Sequence, residues 1–353
     1  MRLWLSSMLS SRAARHPFSH SVTKLLHIAL GIIVLGACVT HFWGEQGEIH
    51  LRADQALRVP HSDISLFLWD FQVVYDDANN PVDYISELRL LDRGAKSKAQ
   101  GLQVDEGIVR MNKPLKYHGW RFCQSDYDSD GQGVVLAYNY DPWGIGITYT
   151  GYALLLVTMI AFFFQKHSYF RALVKKQHTW WMVGLGIAIV VLAIIMTRVV
   201  TPKPPLQPVL QTPLLGIHVS VIMLAYTLFA VIMVNGIVGL CLPSKRESLM
   251  HLSQLLLYPA LFCLTAGIFL GAVWANMSWG RYWGWDPKET WALITMLVYA
   301  ALLHFPWLKS KFEIINHKSQ IVYHVLCVIN FLFVLFTYFG VSYLLGGLHS
   351  YAN

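Results

Sequence analysis

The chain has 353 residues, of which 55% are hydrophobic and only 13% are charged. This composition is typical of a polytopic membrane protein rather than a soluble domain. The formal net charge of +7 does not indicate a nucleic-acid partner, because the basic residues lie mostly in short connections between apolar stretches.

Apolar stretches recur along the whole chain, and seven of them are long enough to cross a bilayer at about 20 residues per helix. They lie near residues 22–43, 146–164, 180–200, 214–240, 252–274, 290–307 and 320–345. We therefore predict an all-α polytopic membrane bundle of about seven transmembrane helices. A small β-rich extracytoplasmic domain is expected between the first two.

The basic residues of the connections predict the orientation. They precede the first span and follow the second, fourth and sixth, as with Arg15, Lys176, Lys245 and Lys309. Short loops rich in Lys and Arg stay on the cytoplasmic side. We predict a multi-pass protein of the inner (cytoplasmic) membrane, with a cytoplasmic amino terminus and a periplasmic carboxyl terminus.

The first apolar stretch allows two interpretations. Leu35-Gly36-Ala37-Cys38 is similar to a lipoprotein cleavage box, which would make the stretch a signal peptide. However, the preceding tail is long for a signal peptide, and the apolar stretch is longer than the hydrophobic region of a typical signal peptide. We expect an uncleaved span at 22–43 after a cytoplasmic tail at 1–21.

The segment 44–145 is polar and contains short runs of strand character separated by turn signals such as Asn79-Asn80-Pro81. It predicts a β-rich extracytoplasmic domain, a sandwich or part of one, with the default role of docking a partner. Its sequence contains no catalytic Ser/His/Asp pattern, phosphate-binding glycine loop or zinc spacing. The strand-like runs are Ile64–Tyr75, Tyr84–Leu91, Ile108–Met111, Gly119–Gln124 and Val134–Tyr140.

The cysteines exclude two function classes. None of the five stands in a C-x-x-C spacing, which argues against a thiol oxidoreductase and against a c-type haem attachment site within this chain. They are Cys38, Cys123, Cys241, Cys263 and Cys327.

A run of aromatic residues lies between the fifth and sixth spans. Flat aromatic faces on a loop at a membrane surface suit a large planar ligand, and the basic side chains of the run could meet its acidic groups. An interfacial aromatic belt is the alternative, but a belt does not call for a helix-starting sequence such as Asp286-Pro287-Lys288-Glu289. The predicted ligand-binding residues are Trp279, Arg281, Tyr282, Trp283, Trp285, Asp286, Lys288 and Trp291.

This run resembles the tryptophan-rich "WWD" signature of haem-handling membrane proteins of cytochrome c maturation, of the CcsA/ResC type. The likeness continues through Thr295, Tyr299-Ala300 and Leu303-His304 to Gly347–Tyr351, although Met296 replaces a frequent Trp. The resemblance implies a CcsA-like haem-handling domain at 213–353, with its WWD loop at 275–291.

The first part of the chain resembles the ResB/CcsB type instead, and two further transmembrane helices at 146–200 follow it. Together the two parts look like a compact ResB–CcsA fusion, a cytochrome c synthase of System II. The likeness is carried by His27-Ile-Ala-Leu-Gly, Met111–Leu115, Gln124–Asp128, Asn139–Pro142 and Tyr149–Tyr152.

Predicted topology places candidate histidines at two levels. His218 and His349 lie at the outer side on either side of the WWD loop in sequence, and His27 and His304 lie at similar depth near the inner side. Paired histidines are common ligands of haem iron, and ionisable residues within a membrane are functional candidates. Both inner positions match haem-contacting histidines of the resembled family, and His324 is the alternative at the inner level.

The resemblance implies haem b transport, presentation and attachment, with the four histidines as iron ligands. The reaction would be that of a holocytochrome c synthase (haem lyase), which joins haem to C-x-x-C-H motifs of apocytochrome c. The thiols belong to the substrate, so no catalytic residue is expected beyond the iron ligands. The reaction would be accelerated mainly by holding haem and the thiols in the correct orientation. Expected partners are haem, apocytochrome c, membrane lipid and other cytochrome c maturation proteins.

Two other functions remain open from the sequence. The same signature occurs in haem chaperones or exporters that hand haem to a separate ligase. Two histidine levels would also suit a bis-histidine membrane electron-transfer subunit, although the Trp-Asp-Pro-Lys-Glu sequence has no role in that function.

Overall fold

The computed structural model describes residues 17–92, 103–165, 168–176, 186, 207–311 and 317–345. Three predictions from the sequence lie wholly or largely outside these residues. They are most of the tail at 1–21, nearly all of the span near 180–200 and the predicted outer ligand His349.

Helix α1, Pro17–Trp43, leads directly into an antiparallel β-domain. Two four-stranded sheets form it, in the orders β1-β8-β7-β6 and β2-β3-β4-β5. The strands are β1 Glu45–Arg52, β2 Ala56–Arg58, β3 Ile64–Tyr75, β4 Pro81–Asp92, β5 Gln103–Arg110, β6 Leu115–Tyr117, β7 Trp120–Tyr127 and β8 Gly133–Tyr140.

The core of this domain explains why the sheets face each other. Successive strand residues point to opposite faces, so alternate apolar positions collect on the inner face of each sheet. Burial of these side chains excludes water between the sheets and confirms the predicted β-rich domain. The core includes Leu51, Leu66, Leu68, Leu88, Leu90, Phe122 and Leu136.

The helices that follow are α2 Gly144–Phe164, α3 Tyr169–Lys176, α4 Pro213–Cys241, α5 Arg246–Ser278, α6 Pro287–Lys311 and α7 His317–Leu335. A five-residue π-helical segment, Phe336–Gly340, joins α7 to the short α8, Val341–Leu344.

Within the described residues, five helical segments are long and apolar enough to cross a membrane. They are Ser21–Trp43, Gly144–Lys175, Pro213–Cys241, Pro243–Ser278 and Ser319–Leu344. These five match predicted spans. The predicted span at 290–307 forms helix α6 but is not among the five, and the remaining one falls outside the described residues.

Helices α4, α5, α6 and α7 share one apolar core. The rings of Phe229 on α4 and Tyr299 on α6 stack with centroids 3.7 Å apart. At the end of α4, the buried guanidinium of Arg246 donates from Nε to the carbonyl of Gly239 over 2.9 Å. A cation at the carboxyl end of a helix satisfies carbonyls that lack a partner within the helix.

Candidate functional site

The aromatic loop between α5 and α6 is held by a capping box at the start of α6. Asp286 Oδ1 accepts the backbone N–H of Lys288 over 2.9 Å. In return, Glu289 Oε2 accepts the N–H groups of Asp286 over 3.2 Å and of Gly284 over 2.8 Å. This reciprocal arrangement satisfies the N–H of Lys288 in the first turn of the helix and two N–H groups of the loop just before it. The predicted helix start at Asp286 is confirmed, and the carboxylate of Asp286 serves the backbone.

Two of the four loop tryptophans are anchored by neighbours. Trp279 packs edge-on against Trp274 at 4.8 Å, and Trp291 lies 4.2 Å from the ring of Phe336 in the π-helical segment. These contacts fix both ends of the loop.

Trp285 is the most exposed of the four loop tryptophans, and Trp283 packs beside it against the helical core. Trp285 is 70% exposed and has a positive φ of 56°, which is rare for a bulky residue. Trp283 is half-buried and meets Trp285 edge-on at 5.8 Å. A strained backbone at a functional loop is consistent with a fixed presentation of its side chain.

Tyr282 faces inward, with only 5% of its surface exposed. Its hydroxyl lies 2.8 Å from Thr40 Oγ1 on α1 and accepts from Thr148 Oγ1 on α2 over 3.2 Å. Thr40 Oγ1 also donates to Asp141 Oδ2 over 2.6 Å, and Asp141 Oδ1 accepts the N–H of Gly144 at the start of α2. Tyr282 therefore ties the loop to two helices and is not part of the exposed aromatic surface.

This polar node of Thr40, Asp141, Thr148 and Tyr282 was not predicted from the sequence. Its members are separated by 101 to 242 positions in hydrogen-bonded pairs, so no local pattern links them. The presence of Asp141 in the Asn-Tyr-Asp-Pro motif was the one available signal.

The β-domain packs directly on the loop and on the end of α5. Ser278 Oγ donates to Asn112 Oδ1 over 2.5 Å, and Arg121 Nη1 donates to Asn276 Oδ1 over 2.9 Å. Gly280, with φ of 75°, lies so close to β7 that an added Cβ would be 3.0 Å from Cys123 Sγ. The β-domain and the WWD loop thus lie at the same end of the helical bundle.

The two basic residues predicted to meet acidic groups of the ligand differ in their surroundings. Lys288 is half-buried and donates from Nζ to Ser342 Oγ on α8 over 3.1 Å. Arg281 is half-buried and lines a groove beside the β-domain. Both lie on the same side of the molecule as Trp285, because they belong to the same loop and helix start.

At the opposite end of the bundle the structure brings His27 and His304 together. The imidazole centroids are 6.3 Å apart with an interplanar angle of 80°. His27 lies about 24 Å along α1 from Trp43, and His304 about 26 Å along α6 from Pro287, at 1.5 Å per residue. The predicted similar depth of these two residues is thus matched by direct proximity.

The hydrogen bonds of the two imidazole rings leave one nitrogen of each ring available to a metal ion. Nδ1 of His27 bonds to the carbonyl of Thr23 at 2.7 Å, and Nδ1 of His304 to that of Ala300 at 2.8 Å. A hydrogen bond at one ring nitrogen fixes the tautomer and presents the other as a ligand. Both residues are exposed at the bundle surface.

The spacing of the two rings also fits a shared metal ion. Metal–imidazole bonds of about 2 Å on opposite sides of one ion place the ring centroids about 6 Å apart. Among the described residues, no group of three or more His, Cys, Asp and Glu could hold a metal ion.

His324, the alternative histidine predicted at the inner level, has a different environment. His324 is fully buried, its Nε2 bonds to the carbonyl of Arg246 at 3.0 Å, and its ring packs on Gly239. It joins α7 to the α4–α5 connection and is not paired with His27.

His218, which the sequence predicts at the outer level, packs against α5. Its Nδ1 bonds to the carbonyl of Gly267 at 2.8 Å, and the ring lies against Gly271, about two turns before α5 ends at Ser278. It is therefore on the loop side of the bundle. The partner predicted for it, His349, lies outside the described residues, so their pairing stays a prediction.

All five cysteines are free. Burial raises the pKa of the Cys123 thiol, in the β-domain, to about 12. This residue serves as packing surface beneath Gly280 and is not a nucleophile at neutral pH.

Two family models match the chain. The ResB-like family matches residues 7–144, and the cytochrome C assembly protein family matches residues 147–349. The first region includes α1 and the β-domain with His27, and the second includes the WWD loop with His218 and His304.

Curated relatives carry the same similarity. Protein NrfI of Wolinella succinogenes is 40% identical over 42% of this chain and 17% of its own length. The cytochrome c biogenesis protein CcsA of Chlamydomonas reinhardtii is 39% identical over 42% of this chain and 43% of its own length. CcsA of Porphyra purpurea is 48% identical over 30% of this chain and 31% of its own length.

These matches cover less than half of each relative's own length. The family model, in contrast, spans more than half of the present chain. With a ResB-like region before it, consistent with a ResB–CcsA fusion of System II, this multi-pass membrane chain belongs to the cytochrome C assembly protein family.

Proposed function

We propose that the chain functions in cytochrome c maturation by binding haem at an inner level, presenting it at the WWD loop, and supporting its attachment to apocytochrome C-x-x-C-H motifs. Haem is the substrate in this scheme, as haem b. The amino terminus and the inner histidine pair would face the cytoplasm, and the β-domain and WWD loop the periplasm.

The observation that carries the proposal is the His27–His304 pair. Its 6.3 Å separation suits two imidazoles on one iron, and each Nδ1 is already engaged by its own helix. The pair also joins the two family regions, since His27 belongs to the ResB-like part and His304 to the cytochrome c assembly part.

At the outer level, His218 and His349 would hold the iron while Trp283 and Trp285 provide aromatic surface. Arg281 and Lys288 are the cations available for the propionates. The capping box and Tyr282 hold this surface in place, which pre-organises the site and reduces the entropy that binding must overcome.

Attachment then requires orientation more than chemical assistance from this chain. Each substrate thiol adds across one vinyl group of haem: a C–S bond forms at one carbon and the proton goes to the other. Holding haem and peptide side by side makes the reaction effectively intramolecular. The close packing of the β-domain on the loop favours this ligase function over simple export to a separate ligase.

The proposal is tested with the purified full-length chain. The wild type is expected to carry haem with a low-spin bis-histidine spectrum. His27→Ala and His304→Ala should each reduce bound haem by about tenfold, because one of two iron ligands is lost. Added imidazole should restore part of it by filling the vacated position.

His41→Ala is the matched control, because His41 is also exposed on α1 but lies at its opposite end. Incubation of the haem-loaded protein with an apocytochrome peptide and a reductant should yield a thioether-linked product. A protein that is colourless and does not bind added haem would contradict the proposal.

A further inference from the structure

The helical turn next to each inner histidine carries a small residue. Gly31 follows His27 on α1 and Ala301 precedes His304 on α6 by one turn, so each lies on the face of its helix that carries the histidine. Both small residues are exposed, and a Cβ added to Gly31 would meet no atom within 4 Å. Because α1 leads into the β-domain and α6 starts at the WWD loop, both lie outward from the histidine pair, toward the loop.

Large apolar side chains return one turn farther outward. Val34 on α1 and Leu297 on α6 are 62% and 56% exposed, and each lies two turns from the histidine of its helix. Two turns correspond to about 10 Å along the helix axis. This open stretch is longer than half the width of a porphyrin ring, so one edge of the ring fits between the histidines and these side chains.

A porphyrin held between the two imidazoles has to extend along both helices. The line that joins the two rings runs from α1 to α6, and the plane of a bis-histidine haem is perpendicular to the bonds between iron and the imidazoles. The plane therefore extends in the direction of the helix axes. The outward half of the ring passes between Gly31 and Ala301, and the inward half passes the turn that precedes His27.

That inward turn is charged. Lys24 precedes His27 by one turn, is exposed, and lies on the same side of α1. A lysine near the end of a membrane helix extends its amine toward the water interface. Haem has the matching asymmetry, because one edge carries two ionised propionates and the opposite edge carries apolar vinyl and methyl groups.

We propose that the inner pair holds haem in one orientation, with the propionates toward Lys24 and the vinyl edge outward between Gly31 and Ala301. The inference rests on the proposed function and identifies the residues that admit the ring and those that select its orientation. Gly31 and Ala301 leave space for the ring, and Lys24 meets its acidic edge. The vinyl groups, to which the substrate thiols add, then point toward the WWD loop.

The small residues are tested by enlarging them in full-length His218→Ala protein, where bound haem reports the inner level alone. Gly31→Leu and Ala301→Leu should each weaken haem binding by at least about tenfold, because the larger side chain collides with the ring. Gly146→Leu and Ala153→Leu on α2 are the matched controls, since both residues are exposed and a Cβ added to Gly146 also meets no atom within 4 Å. The controls should bind haem like the parent.

The denaturation midpoint of each variant is measured without haem. Gly31→Leu should keep the midpoint of the parent protein, because its side chain enters open space. A loss of haem binding with an unchanged midpoint is the result that the proposal predicts.

The orientation is tested with haem dimethyl ester, whose esterified propionates carry no charge. Lys24→Gln should weaken the binding of haem by about threefold and leave that of the ester unchanged, because only the charged ligand loses an exposed ion pair. Lys245→Gln is the matched control, since Lys245 is also exposed and follows α4 at the end of the bundle opposite the WWD loop. It should bind both ligands like the parent.

The outcomes separate this proposal from the proposed function. If the parent binds haem with a bis-histidine spectrum and both Leu variants bind it equally well, the ring does not lie between Gly31 and Ala301. The orientation proposal is then wrong, while the proposed function stands. Equal binding of haem by Lys24→Gln and the parent, or equal losses of haem and of its ester, would also overturn the orientation. A wild-type chain that binds no haem would overturn both proposals.

Discussion

The two proposed haem levels are built in different ways. At the inner level, two exposed histidines from distant parts of the chain meet, and each is held by a hydrogen bond to its own helix. At the outer level, the aromatic loop is fixed by a capping box, by a polar node with α1 and α2, and by the β-domain.

This difference predicts different responses to mutation. The inner pair contributes little packing, so its loss should change haem binding and leave the fold intact. The outer loop combines side chains that present a surface with side chains that hold the backbone. Variants there should separate into those that lose haem alone and those that lose both stability and haem.

The largest outer effect is expected at Trp283 and Trp285. Replacing both with Ala should remove most of the outer haem, because the exposed ring of Trp285 and the ring of Trp283 that supports it are lost while the capping box remains. The double variant Trp43→Ala/Trp143→Ala is the control, since these residues are 70% and 71% exposed and Trp285 is 70% exposed.

Absorption spectroscopy and circular dichroism of the purified variants measure this prediction. Retention of full haem by the loop variant would show that these residues form an interfacial aromatic belt. A Trp285→Phe variant should recover part of the haem, because it restores an aromatic ring at the most exposed position.

A smaller effect is expected at Glu289. Removing its carboxylate by Glu289→Ala leaves two loop N–H groups without their acceptor and should lower the free energy of unfolding by about 1–2 kcal/mol. Outer haem should weaken with it, while inner haem is retained. Glu247→Ala, in the first turn of α5 and largely exposed, is the control. Equal denaturation midpoints for the two variants would contradict the structural role of Glu289.

Tyr282→Phe tests the polar node. The ring and its packing remain, but the hydrogen bonds to Thr40 and Thr148 are lost, which should reduce the free energy of unfolding by about 1 kcal/mol. Tyr343→Phe at an exposed position should have no effect. A Tyr282→Phe variant that loses haem with unchanged stability would instead place its hydroxyl in haem binding.

The smallest effect concerns the contact between loop and β-domain. Because burial raises the pKa of Cys123 to about 12, its thiolate stays scarce between pH 7 and 9. Maleimide labelling of Cys123 should therefore remain slow over this range in the folded protein and become fast after unfolding. The control is a Cys123→Ala variant, in which labelling of the exposed Cys241 shows that the reagent reaches accessible thiols of the folded protein. Rapid labelling of folded Cys123 would show that the loop moves off β7.

Local sequence patterns predicted the elements with strong periodicity. Strand β3 coincides with the predicted run Ile64–Tyr75, and the start of α6 follows its capping sequence. Strand β1 was missed because its first half, Glu45–Glu48, is polar, and β2 and β6 were missed because each has only three residues.

The candidate site was less predictable because its geometry depends on distant contacts. The basic loops and the helix rise predicted that His27 and His304 lie at similar depth. They did not show that the two rings are neighbours, which depends on the tertiary structure. The tryptophan run did not reveal that Tyr282 points inward.

We propose that haem enters at the His27–His304 pair and then reaches the outer level. The most direct measurement is the haem spectrum and content of purified His27→Ala beside that of purified His218→Ala. The claim predicts that His27→Ala empties both levels, whereas His218→Ala retains haem at the inner pair. Normal outer haem in His27→Ala protein would contradict it.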